Sequence, residues 1–357
     1  MDPLESFTHR RYTIGLASVA MFFVLSGFLI CRSALGSGSV LRFLWHRFLR
    51  IFPAYWVCLV VCACVFAPLM AFTEFGTFLK VFAVPTNSPQ TFMLSNAGLF
   101  HLNGFSIGGL MDMKPTSIAG LLTQNPIPRV INGSLWTLPF EVSCYLAVAA
   151  LAAVGVLGRA RFIVLALFAT LWCLHFFEYV NPAGFWRCFP YEGMNHVVML
   201  GLFFSAGCVC FLYREKIPHS TAAFVGCLIV AGVSLPLGVF GLIAPIAMTY
   251  AFLWLAFSFP FARFDTRGDF SYGIYIYAFP VQQGLALLRI HDEGFGLYFT
   301  SSLLLTAVLA FLSYRLIEAP CLRLKTVKLS TFRRLTKSPV TQLTDGLPTP
   351  SAEPAIP

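Results

Sequence analysis

Nine apolar runs, each close to the length a helix needs to cross a bilayer, decide what this chain can fold into. They lie at about 13–31, 54–73, 134–157, 162–178, 196–213, 220–236, 239–260, 270–290 and 296–316. A crossing helix needs about 20 mainly apolar residues. Only 11% of the 357 residues are charged, against roughly 25% in soluble domains. So little charge cannot cover a water-facing surface. The sequence therefore predicts an all-α polytopic integral membrane protein. The predicted membrane domain covers residues 1–320. A tail, 321–357, starts basic and ends rich in Pro, Thr and Ser, a composition that predicts disorder.

The net charge of +9 raises nucleic acid as a partner, but the basic residues sit in short clusters between apolar runs. That placement is the signature of membrane topology, with the lipid bilayer as the partner and no nucleic acid. With 32–53 and the C-terminal tail on the cytosolic side, 17 of the 24 Lys and Arg residues are cytosolic. The positive-inside rule then puts residue 1 outside and the C-terminus in the cytosol of a multi-pass protein of the cell (inner or plasma) membrane. Such an N-terminus with no signal pattern predicts one further span ahead of it. The eleven cysteines show neither CxxC nor zinc-ligand spacing, so they read as small apolar packing residues, with no metal expected.

Five stretches stand out. Met21-Phe22-Phe23-Val24-Leu25-Ser26-Gly27-Phe28 puts Ser26 and Gly27 inside a span, where small residues let helices approach. It runs into a basic segment, 32–53, whose Leu41, Leu44, Trp45, Phe48 and Ile51 recur at helical spacing and predict an amphipathic helix at the interface. Arg47 and Arg50, at i and i+3, share a face there. Their guanidiniums suit phosphate oxygens and equally suit anchoring to lipid headgroups. Asn132-Gly133-Ser134-Leu135-Trp136-Thr137-Leu138-Pro139-Phe140-Glu141 brings an ionisable Glu141 into the start of a span, where it needs a partner or a function. Ser271-Tyr272-Gly273-Ile274-Tyr275 places Tyr272 and Tyr275 on one helix face. Tyr314-Arg315-Leu316-Ile317-Glu318-Ala319-Pro320 allows Arg315 and Glu318 to pair at i, i+3 before Pro320 stops the helix. The seven histidines form no cluster. Residues 74–132 hold no run of spanning length and read as an external or partly re-entrant loop.

In their order and spacing these five stretches resemble the acyltransferase-3 family of integral membrane O-acyltransferases, from about residue 13 to 322. The resemblance implies ten spans and transfer of an acyl group, usually acetyl, from cytosolic acyl-CoA to a hydroxyl of a cell-envelope or exported glycan. That is the O-acetylation of polysaccharide biosynthesis, with acetyl-CoA as donor substrate and no bound cofactor. It implies donor binding by Arg47 and Arg50, with Ser26 and Gly27 beside the acyl path. Glu141 matches the acidic residue of the family's LWxLxxE motif and is the catalytic candidate here. Trp136, Tyr272, Tyr275 and Glu318 are further motif positions. The family's catalytic histidine belongs to a first span, and this sequence starts in what resembles the loop after it. The expectation is a chain that, as written, lacks that base, through a late start or as an inactive truncated paralogue; His9 does not match the histidine's position. Ala278 stands where many members carry histidine. A small-solute transporter is the alternative that an intramembrane carboxylate also fits, and a non-catalytic component of an assembly complex is a third.

Overall fold

The computed structural model describes residues 13–82, 88–99, 125, 127, 130–191, 193–259 and 269–326. Among these residues the chain is helical and has no strand. Helix α1 is Ile14–Gly36, α2 Val40–Phe75, α3 Pro89–Asn96, α4 Gly133–Ala153 and α5 Arg161–Val180. Then come α6 Pro182–Cys188, α7 Met194–Leu212, α8 Thr221–Ser234 and α9 Phe240–Ser258. Helix α10 is Ser271–Leu287 and α11 Phe295–Arg323. Seven of these are long and apolar enough to cross a membrane. Helix α8, with 14 residues, and α10, with 17, are shorter. A helix thus occupies each of the nine apolar runs of the sequence.

The large apolar side chains on the outside follow from this reading. Phe162, Ile229, Phe295, Leu304 and Leu316 are each more than half exposed. In water, apolar surface of this extent does not survive on a monomer; in lipid it is the solvated face. Helix α7 sits at the centre, packed between α1 and α5, with buried positions around its whole circumference.

The amphipathic segment and the second apolar run form one helix. Helix α2 continues through Pro53 and through a π turn at Cys62–Phe66. The sequence reads 32–53 and 54–73 as separate segments; one helix joins them although Pro53 removes an i→i−4 bond, with Leu49, Ile51, Ala54 and Tyr55 buried on either side of it. Arg47 and Arg50 are therefore rigidly connected to the membrane span.

Two features fix the helices laterally. Helices α1 and α7 cross at glycines. A Cβ on Gly27 would lie 2.0 Å from the Phe204 carbonyl oxygen, and one on Gly207 would lie 2.0 Å from that of Val24. The Cys208 thiol adds a 3.3 Å bond to the Gly27 carbonyl. The second feature repairs a proline. Pro280, inside α10, has no N–H, so the carbonyl of Ile276 four residues earlier has no helical partner. Asn132 Nδ2 donates to that carbonyl at 2.8 Å, and the Cys58 thiol approaches it at 3.5 Å. The other end of the same amide caps α4: Asn132 Oδ1 accepts from Ser134 N at 3.1 Å. One fully buried asparagine joins α2, α4 and α10.

Part of the 74–132 segment is described. Helix α3 packs beside α2: the Tyr55 hydroxyl donates to the Asn96 carbonyl at 2.6 Å and the Trp56 indole to that of Ala97 at 2.9 Å. Residues 83–87, 100–124, 126, 128 and 129 of this segment, the first twelve residues with His9, and the tail from 327 lie outside the described residues.

Gly207→Ala must push α1 and α7 apart along backbone, which gives way less than a side chain does. Overpacking of this kind costs about 1–3 kcal/mol. A lowered thermal midpoint of the purified protein in detergent is the expected result. Gly226→Ala, where an added Cβ meets nothing within 4 Å, serves as the neutral comparison.

Candidate active site

A cavity of about 710 Å³ lies between α1, α2, α4 and α10. One wall is the face of α1 bearing Ser18, Phe22, Ser26 and Leu29. Opposite stand Tyr272 and Tyr275 of α10, with Glu141 and Tyr145 of α4 between them. At one end the lining turns from apolar to charged: Arg47, Arg50, Asp269 and Lys325 meet there. The cavity therefore has a cationic mouth and an apolar throat with one carboxylate in it.

The arginines reach the mouth because α2 presents i and i+3 on one face. They are held differently. Arg50 Nη2 donates to Asp269 Oδ2 at 2.5 Å. Asp269 Oδ1 in turn accepts from the Ser271 backbone N–H at 3.1 Å and from the Ser271 hydroxyl, so Asp269 caps the start of α10 while it pins Arg50. Burial pushes the Asp269 carboxyl up, but Arg50 and the Ser271 bonds outweigh burial and hold it below the ordinary carboxylate value. Arg47 lies 6.0 Å from the Tyr145 ring centroid and 5.9 Å from that of Phe43. Its Nε is buried without a hydrogen-bond partner. A guanidinium N–H in that condition is costly unless something binds to it.

Deeper in, the Tyr145 hydroxyl donates to Glu141 Oε1, one helical turn away. Both arginines lie close enough to act electrostatically on Glu141. Glu141 is only 6% exposed and sits in the first turn of the α-helical part of α4, where the helix dipole favours an anion. Ser26 is buried beside the Tyr145 hydroxyl. On the opposite wall Tyr275 donates to the Ser134 carbonyl at 2.6 Å, also bonds Thr137, and stacks on Phe22 with ring centroids 6.2 Å apart. The Tyr272 hydroxyl donates to the Ile51 carbonyl at 3.1 Å, just before Pro53. The α10 tyrosines thus shape the wall, with their hydroxyls committed to backbone carbonyls.

Six of the residues singled out from the sequence line one cavity: Ser26, Arg47, Arg50, Glu141, Tyr272 and Tyr275. Three do not. Gly27 faces α7 at the glycine crossing. Trp136 packs edge-on against His196 at 5.1 Å and Phe140 at 5.7 Å. Glu318 lies behind the mouth, where the Ser313 hydroxyl donates to it at 3.3 Å. The sequence suggests an Arg315–Glu318 pair. Instead a π turn over Tyr314–Glu318 spreads the two apart. Arg315 is exposed over the Phe311 ring at 5.4 Å, and Glu318 turns inward, 2% exposed, within electrostatic reach of Arg50. None of the described histidines lines the cavity, and Ala278 is not part of its wall.

The sequence reading missed Tyr145, Asp269 and Lys325. Tyr145 had a signal: it stands four residues after Glu141, on the same face. Asp269 had a weaker one, an Asp two residues before a serine that opens a helix. Lys325 had none, because the helix does not stop at Pro320 as expected but runs on to Arg323, and the position of Lys325 depends on the turn that follows.

Comparison with known proteins follows the same outline. The chain is 29% identical over 336 residues to the O-acetyl transferase of Shigella phage Sf6, covering 91% of this chain and 90% of that protein. It is 25% identical to Nodulation protein 10 of Rhizobium leguminosarum bv. viciae, covering 91% of this chain and 87% of that one. No solved structure matches it significantly. The Acyltransferase domain family model matches residues 2–315, nearly all of the sequence, which selects acyl transfer over the transporter alternative. This multi-pass membrane chain belongs to the acyltransferase-3 family and is an acyltransferase.

Proposed function

We propose that the chain moves an acyl group, acetyl in the simplest case, from acyl-CoA to a hydroxyl of a cell-envelope or exported glycan. The observation that carries this reading is the cavity's polarity, cations at the mouth and an apolar throat leading to Glu141. Acyl-CoA has the same polarity, with phosphates at one end and a thioester at the other. The name of the Shigella phage Sf6 relative, an O-acetyl transferase, supports acetyl as the group moved.

The chemistry is an exchange of esters. The acceptor hydroxyl oxygen bonds to the thioester carbonyl carbon, the C–S bond breaks, and the CoA sulfur leaves with the proton that the hydroxyl gives up. A hydroxyl is a weak nucleophile at neutral pH and must be oriented and relieved of its proton. Arg47 and Arg50 hold the donor phosphates, Arg50 pre-aimed by Asp269. The apolar wall of Phe22, Leu25 and Leu29 excludes water from the thioester. Glu141, fixed by Tyr145, is the group in the throat that accepts the acceptor hydroxyl's hydrogen bond and sets its angle. We assign these roles on a basic side facing the cytosol, in a bacterial inner membrane or an equivalent plasma membrane.

Glu141→Gln keeps the shape and loses the charge. Acetyl transfer from labelled acetyl-CoA in membranes should fall at least about a hundredfold in kcat, the scale of one positioned acid–base group, with KM for acetyl-CoA little changed. Wild-type turnover at normal expression would remove Glu141 from the mechanism. Arg47→Ala should raise KM for acetyl-CoA with a smaller effect on kcat.

The Arg50–Asp269 contact sets a pH window. A carboxyl with a depressed folded-state value contributes fully above its ordinary value, 3.8 here, and loses its contribution as pH falls through the lower folded value. CoA affinity should therefore show no step from this pair between about pH 5 and 8. Asp269→Asn should weaken CoA binding at every pH in that range, as titration calorimetry of the purified protein would show.

A further inference from the structure

The cationic mouth has a third member that none of the family's five motif stretches contains. After α11 the chain makes a short 3₁₀ turn, Leu324–Thr326, and folds back across α2. The Trp45 indole donates to the Leu324 carbonyl at 3.5 Å. His46 interacts with the backbone of Lys325. These contacts bring Lys325 into the cavity lining, beside Arg47 and Arg50. The nearest carboxylate is Asp269, whose two oxygens are already engaged by Arg50 and Ser271. Glu141 is deeper and bound by Tyr145. Burial, Arg47 and Arg50 together pull the Lys325 ammonium below its ordinary value, with Asp269 opposing them in part.

Three cations thus converge where the carboxylates within reach are each already bonded, Asp269 to Arg50 and Ser271, Glu141 to Tyr145 and Glu318 to Ser313, and one of the three cations has an orphaned buried N–H. Like charges gathered in a partly desolvated mouth repel one another, which favours an anion that bridges them. A group carrying several phosphates can meet all three cations at once, which a monoanion cannot.

We propose that Lys325 is the third contact of a polyphosphate site at the cavity mouth, and that the turn after α11 forms the rim of the donor site. This rests on the reading that acyl-CoA is the donor. The segment between Pro320 and Lys325 then belongs to the binding site. A phosphate-bearing lipid headgroup offers the same chemistry, and the experiment separates the two.

The full chain, purified into nanodiscs of phosphatidylcholine, is titrated with CoA by calorimetry. Lys325→Met keeps the apolar stem and removes the charge. It should weaken CoA binding about tenfold, the loss expected of one charge-assisted contact. Lys325→Arg should retain most of the affinity, and Lys216→Met, away from the cavity, should match wild type. Equal melting temperatures show that each variant is folded. Unchanged CoA affinity in Lys325→Met alongside a loss in Arg47→Met would overturn the role of Lys325 and leave the donor reading standing. Absence of CoA binding by the wild type would remove both. Selective retention of phosphatidylglycerol by wild type over Lys325→Met, in mixed nanodiscs, would then assign the three cations to a lipid phosphate.

Discussion

Hydrocarbon offers no hydrogen bonds, so every polar group that this bundle buries must find its partner within the protein. The Ile276 carbonyl is the clearest case. Pro280 deprives it of its helical partner, and Asn132 supplies another from a separate helix. Because Asn132 also caps α4, the repair of a local defect becomes a long-range tie. It fixes α10 against α4 beside the cavity that Tyr275 and Glu141 both line.

The same constraint explains the charged end. Two arginines partly inside a membrane protein require compensation, and the bundle supplies it incompletely. Arg50 receives Asp269, while Arg47 receives an aromatic ring and keeps an orphaned N–H. Glu318 stands behind them at a turn that deviates from the α-helix. A fully compensated mouth would be more stable and would bind nothing. The deficit lies at the charged end of the cavity, and it is held open by rigid helices, which keeps the site preorganised for the phosphate-bearing donor we propose.

Much of the helix inventory was legible in the sequence because hydropathy is local. Each of the nine apolar runs became a helix, and Tyr272 and Tyr275 share a wall as their spacing requires. Elements that depend on distance were illegible. Arg50 meets Asp269 across 219 residues of sequence, and no spacing rule connects them. The role of Gly27 also required the partner helix: small residues within a span fit both passage of a ligand and close packing, and only the Phe204 carbonyl decides for packing. The Arg315–Glu318 pair failed because i, i+3 geometry assumes 3.6 residues per turn, and the chain is wound wider there.

The π turn at Cys62–Phe66 divides α2 into two parts that obey different neighbours. Before it, the helix presents Arg47 and Arg50 to the cavity; after it, Met70 and Ala71 pack into the core. A π turn holds one residue more than an α turn, and each residue turns the helix by about 100°. The turn therefore works as a register joint: the cationic face and the packing face are aligned independently along one continuous rod. A relative one residue shorter at this point would make an ordinary α turn there and keep both faces where they are.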